Sequence, residues 1–172
     1  MFEPNSVYAK IAYDAILLYI KAKTKLDKQE SEIPQALKLQ LGCKVSIMDS
    51  DGNSVGSAGT PEAKKKYLFH EIVENAVKAA ESLSDQDLNN ITVNVDVFSQ
   101  PKEVQNIKLL KPHKHGLIIQ NQGDKRAIVY PNTEEIDNPE KMIQAAKEKL
   151  DIPDKKDGTD YEMKFFTATR YK

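Results

Sequence analysis

The stretch from Leu41 to Thr60, LGCKVSIMDSDGNSVGSAGT, constrains the fold more than any other part of the chain. The run Leu41 to Met48 reads as a strand, and Asp-Gly in the DSDGN segment supplies the positive φ that a tight hairpin needs. The residues after the turn then continue as a second strand. Further along, ITVNVDVF sets Ile91, Val93, Val95 and Val97 against Thr92, Asn94, Asp96 and Phe98, the alternation of a half-buried strand. GLIIQNQGDKRAIVYP predicts two strands around a Gln122-Gly123-Asp124 turn. Near the end Tyr161, Met163 and Phe165 alternate with Glu162 and Lys164, which predicts a closing strand. Strands joined mostly by hairpins imply an antiparallel sheet.

Three segments carry helical periodicity. Ser6 can cap a helix running to about Lys23, in which nearly every position from Val7 to Ile20 is apolar except Lys10 and Asp14. Those two are four apart and share a face, so most of the remaining circumference must be buried. Tyr8, Tyr13 and Tyr19 read as packed side chains with hydroxyls reaching the surface. Between Tyr67 and Leu83, apolar residues recur at helical spacing. Asn138 caps, and Pro139 opens, a helix to about Leu150 with Met142, Ala145, Ala146 and Leu150 on one face. Lys25 to Glu32 reads as a charged connector. The expected fold is α+β, an antiparallel sheet flanked by helices and compatible with a smaller subdomain, with residues 1–172 forming a single domain.

At 172 residues the chain can bury a substantial core without disulfides or metals. With Lys+Arg 25 against Asp+Glu 26 the net charge is −1, so there is no global basic field to attract nucleic acid. Cys43, the only cysteine, excludes an internal disulfide framework and a multi-cysteine zinc site. The apolar run Ala15 to Ile20 is far shorter than the roughly 20 residues that cross a bilayer. Neither a signal peptide nor a membrane span is expected, and a reducing cytoplasm fits.

Gly52-Asn53-Ser54-Val55-Gly56 matches G-x-S-x-G, but a nucleophile elbow needs a strand before the serine and a helix after it. Here a turn precedes Ser54 and an extended segment follows. No Gly-Lys-Ser/Thr follows the glycines, so a Walker-type phosphate loop fails too. His113 and His115 lie in a segment read as a solvated loop, and no metal is expected there. His70, four residues before Glu74, reads as half of a helix-surface ion pair, and Lys64-Lys65-Lys66 as the solvated approach to a helix. Cys43, on a strand among apolar neighbours, reads as a buried small hydrophobe rather than a reactive thiolate.

The order of segments resembles the AMMECR domain family. That family has a cysteine-containing strand, an N-G turn, the signature L-R-G-C-I-G-T, a helix rich in E-N-A, a strand E-V-S-V-L-S-P-P, an L-x-P-x-x-x-G-L-I-L hairpin, and F-L-P-Q-V. The counterparts are Gly42 to Asn53, SVGSAGT from Ser54, EIVENAVKAA from Glu71, VNVDVFSQP from Val93, LKPHKHGLII from Leu110 and IVYPN from Ile128. Gly56, Gly59, Thr60 and Pro131 keep the family's residue types. The signature arginine is Val55, its cysteine is Ser57, the strand glutamate is Asn94, and the glutamine after the proline is Asn132.

The resemblance implies a cytosolic accessory or partner-binding role, in a system with Memo-like and radical SAM proteins. The glycine loop at 52–60 and the Tyr-Pro-Asn segment would line a ligand or partner site, with Gly56, Ser57, Gly59, Thr60, Asn94, Asp96, Pro131 and Asn132 as candidates. A rival is an enzyme, a hydrolase or nucleic-acid-modifying protein, using Ser57 or Asp96. A hydroxyl needs an adjacent base where a thiol does not, so cysteine-based chemistry would be weakened or absent in this chain. A third reading is a diverged structural member without the family activity. No cofactor is implied, and exposed strand edges would suit a homodimer.

Overall fold

Ser6 does cap the first helix, its hydroxyl accepting from Ala9 N at 3.1 Å, and α1 runs Val7–Ala22 before Lys23 turns into the left-handed region at φ 51°. Lys10 and Asp14 pair on its solvent side at 3.1 Å, while Ala9, Ala12, Ala15 and Ile16 are completely buried. In the computed structural model of the chain, residues 2–121, 125–150 and 161–172 are described. They divide into two units, Met1–Phe98 with Thr169–Lys172, and Ser99–Ala168.

In the first unit the expected hairpin is present: β1 (Cys43–Met48) pairs antiparallel with β2 (Ser54–Thr60). Asp49 ties the turn, its Oδ1 accepting from Asp51 N at 3.0 Å and Asn53 N at 2.8 Å. Those bonds hold the Asp49 carboxyl below its usual range, the Asn53 backbone contributing most. Pairing steps from Ile47 opposite Gly56 to Met48 opposite Ser54 and leaves Val55 as the extra residue of a bulge. On its other side β1 pairs antiparallel with β3 (Thr92–Phe98).

Helix α2 (Leu68–Ala79) packs with α1 against this sheet. Val45, Ile47, Val93 and Val95, all completely buried, meet Phe69, Ile72 and Ala76 from α2 in one core. Each of these Val, Ile and Phe side chains contributes roughly 1.5–3 kcal/mol on leaving water. The helix stops before the expected Leu83; the chain turns after Ala79, and Leu83 instead folds back as a half-buried residue on the same core. Glu71, only 2 % exposed, accepts from the backbone N–H groups of Lys64 and Lys65. The lysine run is therefore held at its backbone rather than merely solvated.

Glu74 does not pair with His70 as its spacing suggested. It takes Lys65 and Lys78, each at 2.6 Å, while His70 stacks beside Tyr67 with ring centres 5.9 Å apart.

The second unit contains β4 (Lys102–Glu103), β5 (His115–Asn121) and β6 (Arg126–Val129). The last strand, β7 (Tyr161–Tyr171), runs well past the predicted Phe165; β5 pairs antiparallel with it and with β6, and β4 pairs with it too. Leu117, Ile119, Ala127 and Val129 point to one face and are covered by Met142 and Ala146 of α3 (Pro139–Lys149). Asn138 caps α3 as expected, accepting from Lys141 N at 2.9 Å. The expected turn at residues 122–124 lies outside the described residues. The fold is α+β, with antiparallel strands and helices packed on them.

Candidate functional site

Residues directly opposed on antiparallel strands point to the same face, with Cβ atoms about 5 Å apart. Since Val45 and Ile47 face the helices, their neighbours Lys44 and Ser46 must point the other way. Ser46 lies opposite Ser57 on one side and Asn94 on the other, making a polar row across three strands. The next row is Gly59, Lys44 and Asp96. Four of the residues singled out from sequence, Ser57, Gly59, Asn94 and Asp96, thus share one face of the first unit.

Gly56 and Thr60 stand opposite Ile47 and Cys43, on the core side of the same strand. The segment read as a glycine loop is in fact mostly strand, and two glycines let that strand exist. A Cβ on Gly56 would sit 2.0 Å from the Ala79 carbonyl oxygen, so α2 could not approach so closely over any other residue. Gly59 takes φ 142° with a Cβ position 2.1 Å from the Cys43 carbonyl oxygen. Thr60 is half-buried, its hydroxyl accepting from Glu62 N at 3.4 Å. Val55, at the bulge, is 37 % exposed.

The sequence reading missed the group that most changes the electrostatics of this face. Arg170, near the chain's end, donates from Nε to Asp96 Oδ1 at 2.8 Å and from Nη2 to Oδ2 at 2.9 Å. Asp96 is 8 % exposed, and its hydrogen bond raises the Arg170 pKa further above its already high value. Neither residue signals the other at a separation of 74 positions; only the closing strand, longer than its alternation suggested, brings them together. The same strand end stacks Tyr171 on Tyr8 with ring centres 4.1 Å apart, and Asn5 N donates to the Lys172 carbonyl at 2.9 Å.

Ser57 is exposed, and the side chains opposed to it across the sheet are a hydroxyl and an amide rather than a base. Asp96 spends both carboxylate oxygens on Arg170. Cys43 is completely buried, and burial pushes its thiol up to about 12 although Asn75 donates to it. It is a core residue, as its neighbours implied.

Pro131 and Asn132 belong to the second unit. Asn132 is exposed at φ 56°, its N–H donating to the Pro112 carbonyl at 3.0 Å, and Thr133 Oγ1 donates to Tyr130 O at 2.7 Å. His115 is not in a solvated loop: it opens β5, its Nδ1 accepts from Lys111 N at 3.1 Å, and burial lowers its pKa. An open hollow of about 680 Å³ in this unit is bordered by Glu134, Glu135, Asp137 and Glu148, none of them a predicted site residue. Among the described residues no cluster of His, Cys, Asp and Glu could hold a metal ion, and no helix is long and apolar enough to cross a membrane.

A protein of Thermotoga maritima is 33% identical over 96% of this chain and 97% of its own length. Protein CA_C1420 of Clostridium acetobutylicum is 26% identical over 96% of this chain, which spans only 36% of that longer protein. The crystal structure of the uncharacterized protein PH0010 from Pyrococcus horikoshii shares the fold, with a TM-score of 0.80 at 18% identity, over 95% of this chain and 88% of that one. The sequence profile of the AMMECR1 family matches residues 9–171, and the chain belongs to that family.

Proposed function

We propose that this chain is a binding or accessory domain whose first unit presents the polar face of β2, β1 and β3 to a small ligand or to a group on a partner protein. The observation that carries this reading is the row Ser57, Ser46 and Asn94, set beside Lys44, Asp96 and Arg170 on strands whose opposite face is fixed by a helical core. Polar side chains held on rigid strands lose little freedom when they bind, which favours recognition. The Tyr130-Pro131-Asn132 segment is a second recognition element in its own unit. Memo-like and radical SAM proteins, implied by the family resemblance, are the partners to try first.

The enzymatic alternative has less support. Ser57 has no base opposed to it, and both oxygens of Asp96 already accept from a guanidinium, whereas a general base must lie within reach of the proton it takes. A diverged structural member would use neither side chain for binding. Native mass spectrometry of untagged protein taken gently from cells decides among these. A retained small molecule or partner in the wild type, lost in the paired substitution Ser57→Ala with Asn94→Ala, supports the binding reading. Retention of every adduct by the variant would sink it.

A further inference from the structure

The geometry points to an oxyanion, a carboxylate or phosphate group, as what this face recognises, an inference that rests on the binding-domain reading above. Arg170 gives Asp96 its Nε–H and one N–H of Nη2, so the donors on Nη1 and the outer N–H of Nη2 lie outside that pair. Its side chain is 59% exposed while that of Asp96 is 11% exposed. The carboxylate thus anchors the guanidinium from the buried side and aims its open edge outward. Such an arginine loses little rotamer freedom on meeting a second anion, and its planar fork matches the oxygens of carboxylate and phosphate.

The surroundings favour a negative guest. Asp96 is the sole carboxylate among the residues of β1, β2 and β3. Lys44 stands directly opposite it, and both of its carboxylate oxygens accept from Arg170. One row along, Asn94 stands roughly 7 Å from Asp96 by strand geometry and adds a neutral donor suited to the oxygens of a ligand, while Ser57, two strands across, lies roughly 12 Å from Asp96 and is in reach of a ligand that extends along the row. Within this face, the open edge of the Arg170 guanidinium attracts the anionic group while the Asn94 amide fixes its orientation.

Inorganic phosphate and acetate, titrated at constant ionic strength against chloride, test the inference by chemical-shift mapping of the full chain. The expected result is saturable shifts at the amides of Asn94 and Asp96 and at the Arg170 Nε–H, with at least one of the two probes. Arg170→Lys keeps a charge but loses the fork, and should weaken that binding about tenfold, while the control Arg126→Gln leaves it unchanged. Shifts identical to those of chloride, shifts mapping elsewhere, or undiminished binding by folded Arg170→Lys would each overturn the inference. Whether phosphate or acetate binds tighter distinguishes the two oxyanions. A neutral ligand held by Ser57 and Asn94 but indifferent to Arg170 would sink the oxyanion inference and leave the binding-domain reading standing.

Discussion

Arg170 reaches Asp96 with two parallel hydrogen bonds, 2.8 and 2.9 Å, joining the last strand to a buried carboxylate on β3. Removing the cation takes both of these hydrogen bonds from the carboxylate in a place where only 8% of the residue meets water. Arg170→Ala should therefore destabilise by about 1–3 kcal/mol, and Asp96→Ala by a similar amount, while the double substitution costs less than their sum. Chemical denaturation of the four proteins measures the coupling; strict additivity would show the fork to be inert.

Gly59→Ala should be among the costliest single changes in the first unit. A Cβ there strains a backbone at φ 142° and meets the Cys43 carbonyl oxygen at 2.1 Å, so a loss of about 2 kcal/mol or more is expected. Gly52→Ala is the comparison. Gly52 also has positive φ, at 84°, but a Cβ there meets nothing within 4 Å, so its cost should be about 1 kcal/mol. Thermal unfolding ranks the two, and equal losses would contradict the close approach.

The Cys43 thiol should resist alkylation in the native state. With its pKa pushed up to about 12 by burial, little thiolate exists at pH 8, and the sulfur has no exposed surface. Iodoacetamide should label it only at the rate of unfolding, as mass spectrometry with and without denaturant would read. Rapid labelling of folded protein would place a reactive thiol where this fold has a core residue.

Acid should weaken α2 through Glu74. Hydrogen bonds from Lys65 and then Lys78 lower its pKa to about 2, so its contribution is present above the unfolded value near 4.5 and is lost as pH falls toward 2. Because both lysines are half exposed and water screens the pairs, the contribution is about 1 kcal/mol. Glu74→Gln should be less stable than wild type at pH 7 and nearly equal to it at pH 2. A gap unchanged between those pH values would exclude the ion pairs as its source.

Much of this architecture is legible in local chemistry. The caps at Ser6 and Asn138, the Asp-Gly hairpin and the alternation from Ile91 each rest on interactions within a few residues, and those elements stand where the sequence places them. Strand pairing also assembles Ser57 and Asn94, which the family resemblance had marked one at a time, with Asp96 on the same face. What stayed hidden is non-local. The tail ThrAlaThrArgTyr shows no clean alternation, so the strand's extension to Tyr171 and the arrival of Arg170 depend on partners distant in sequence. Likewise Glu74 chose between His70 and two lysines by geometry that spacing alone does not encode.

The most direct measurement is a crystal structure of untagged protein, purified without added phosphate or carboxylate buffers and then soaked with the small molecule it retains. The account predicts that molecule on the face of β2, β1 and β3, with an anionic group on the outer edge of Arg170 and hydrogen bonds to Ser57 or Asn94. The same molecule ordered elsewhere, with this face holding only water, would contradict it.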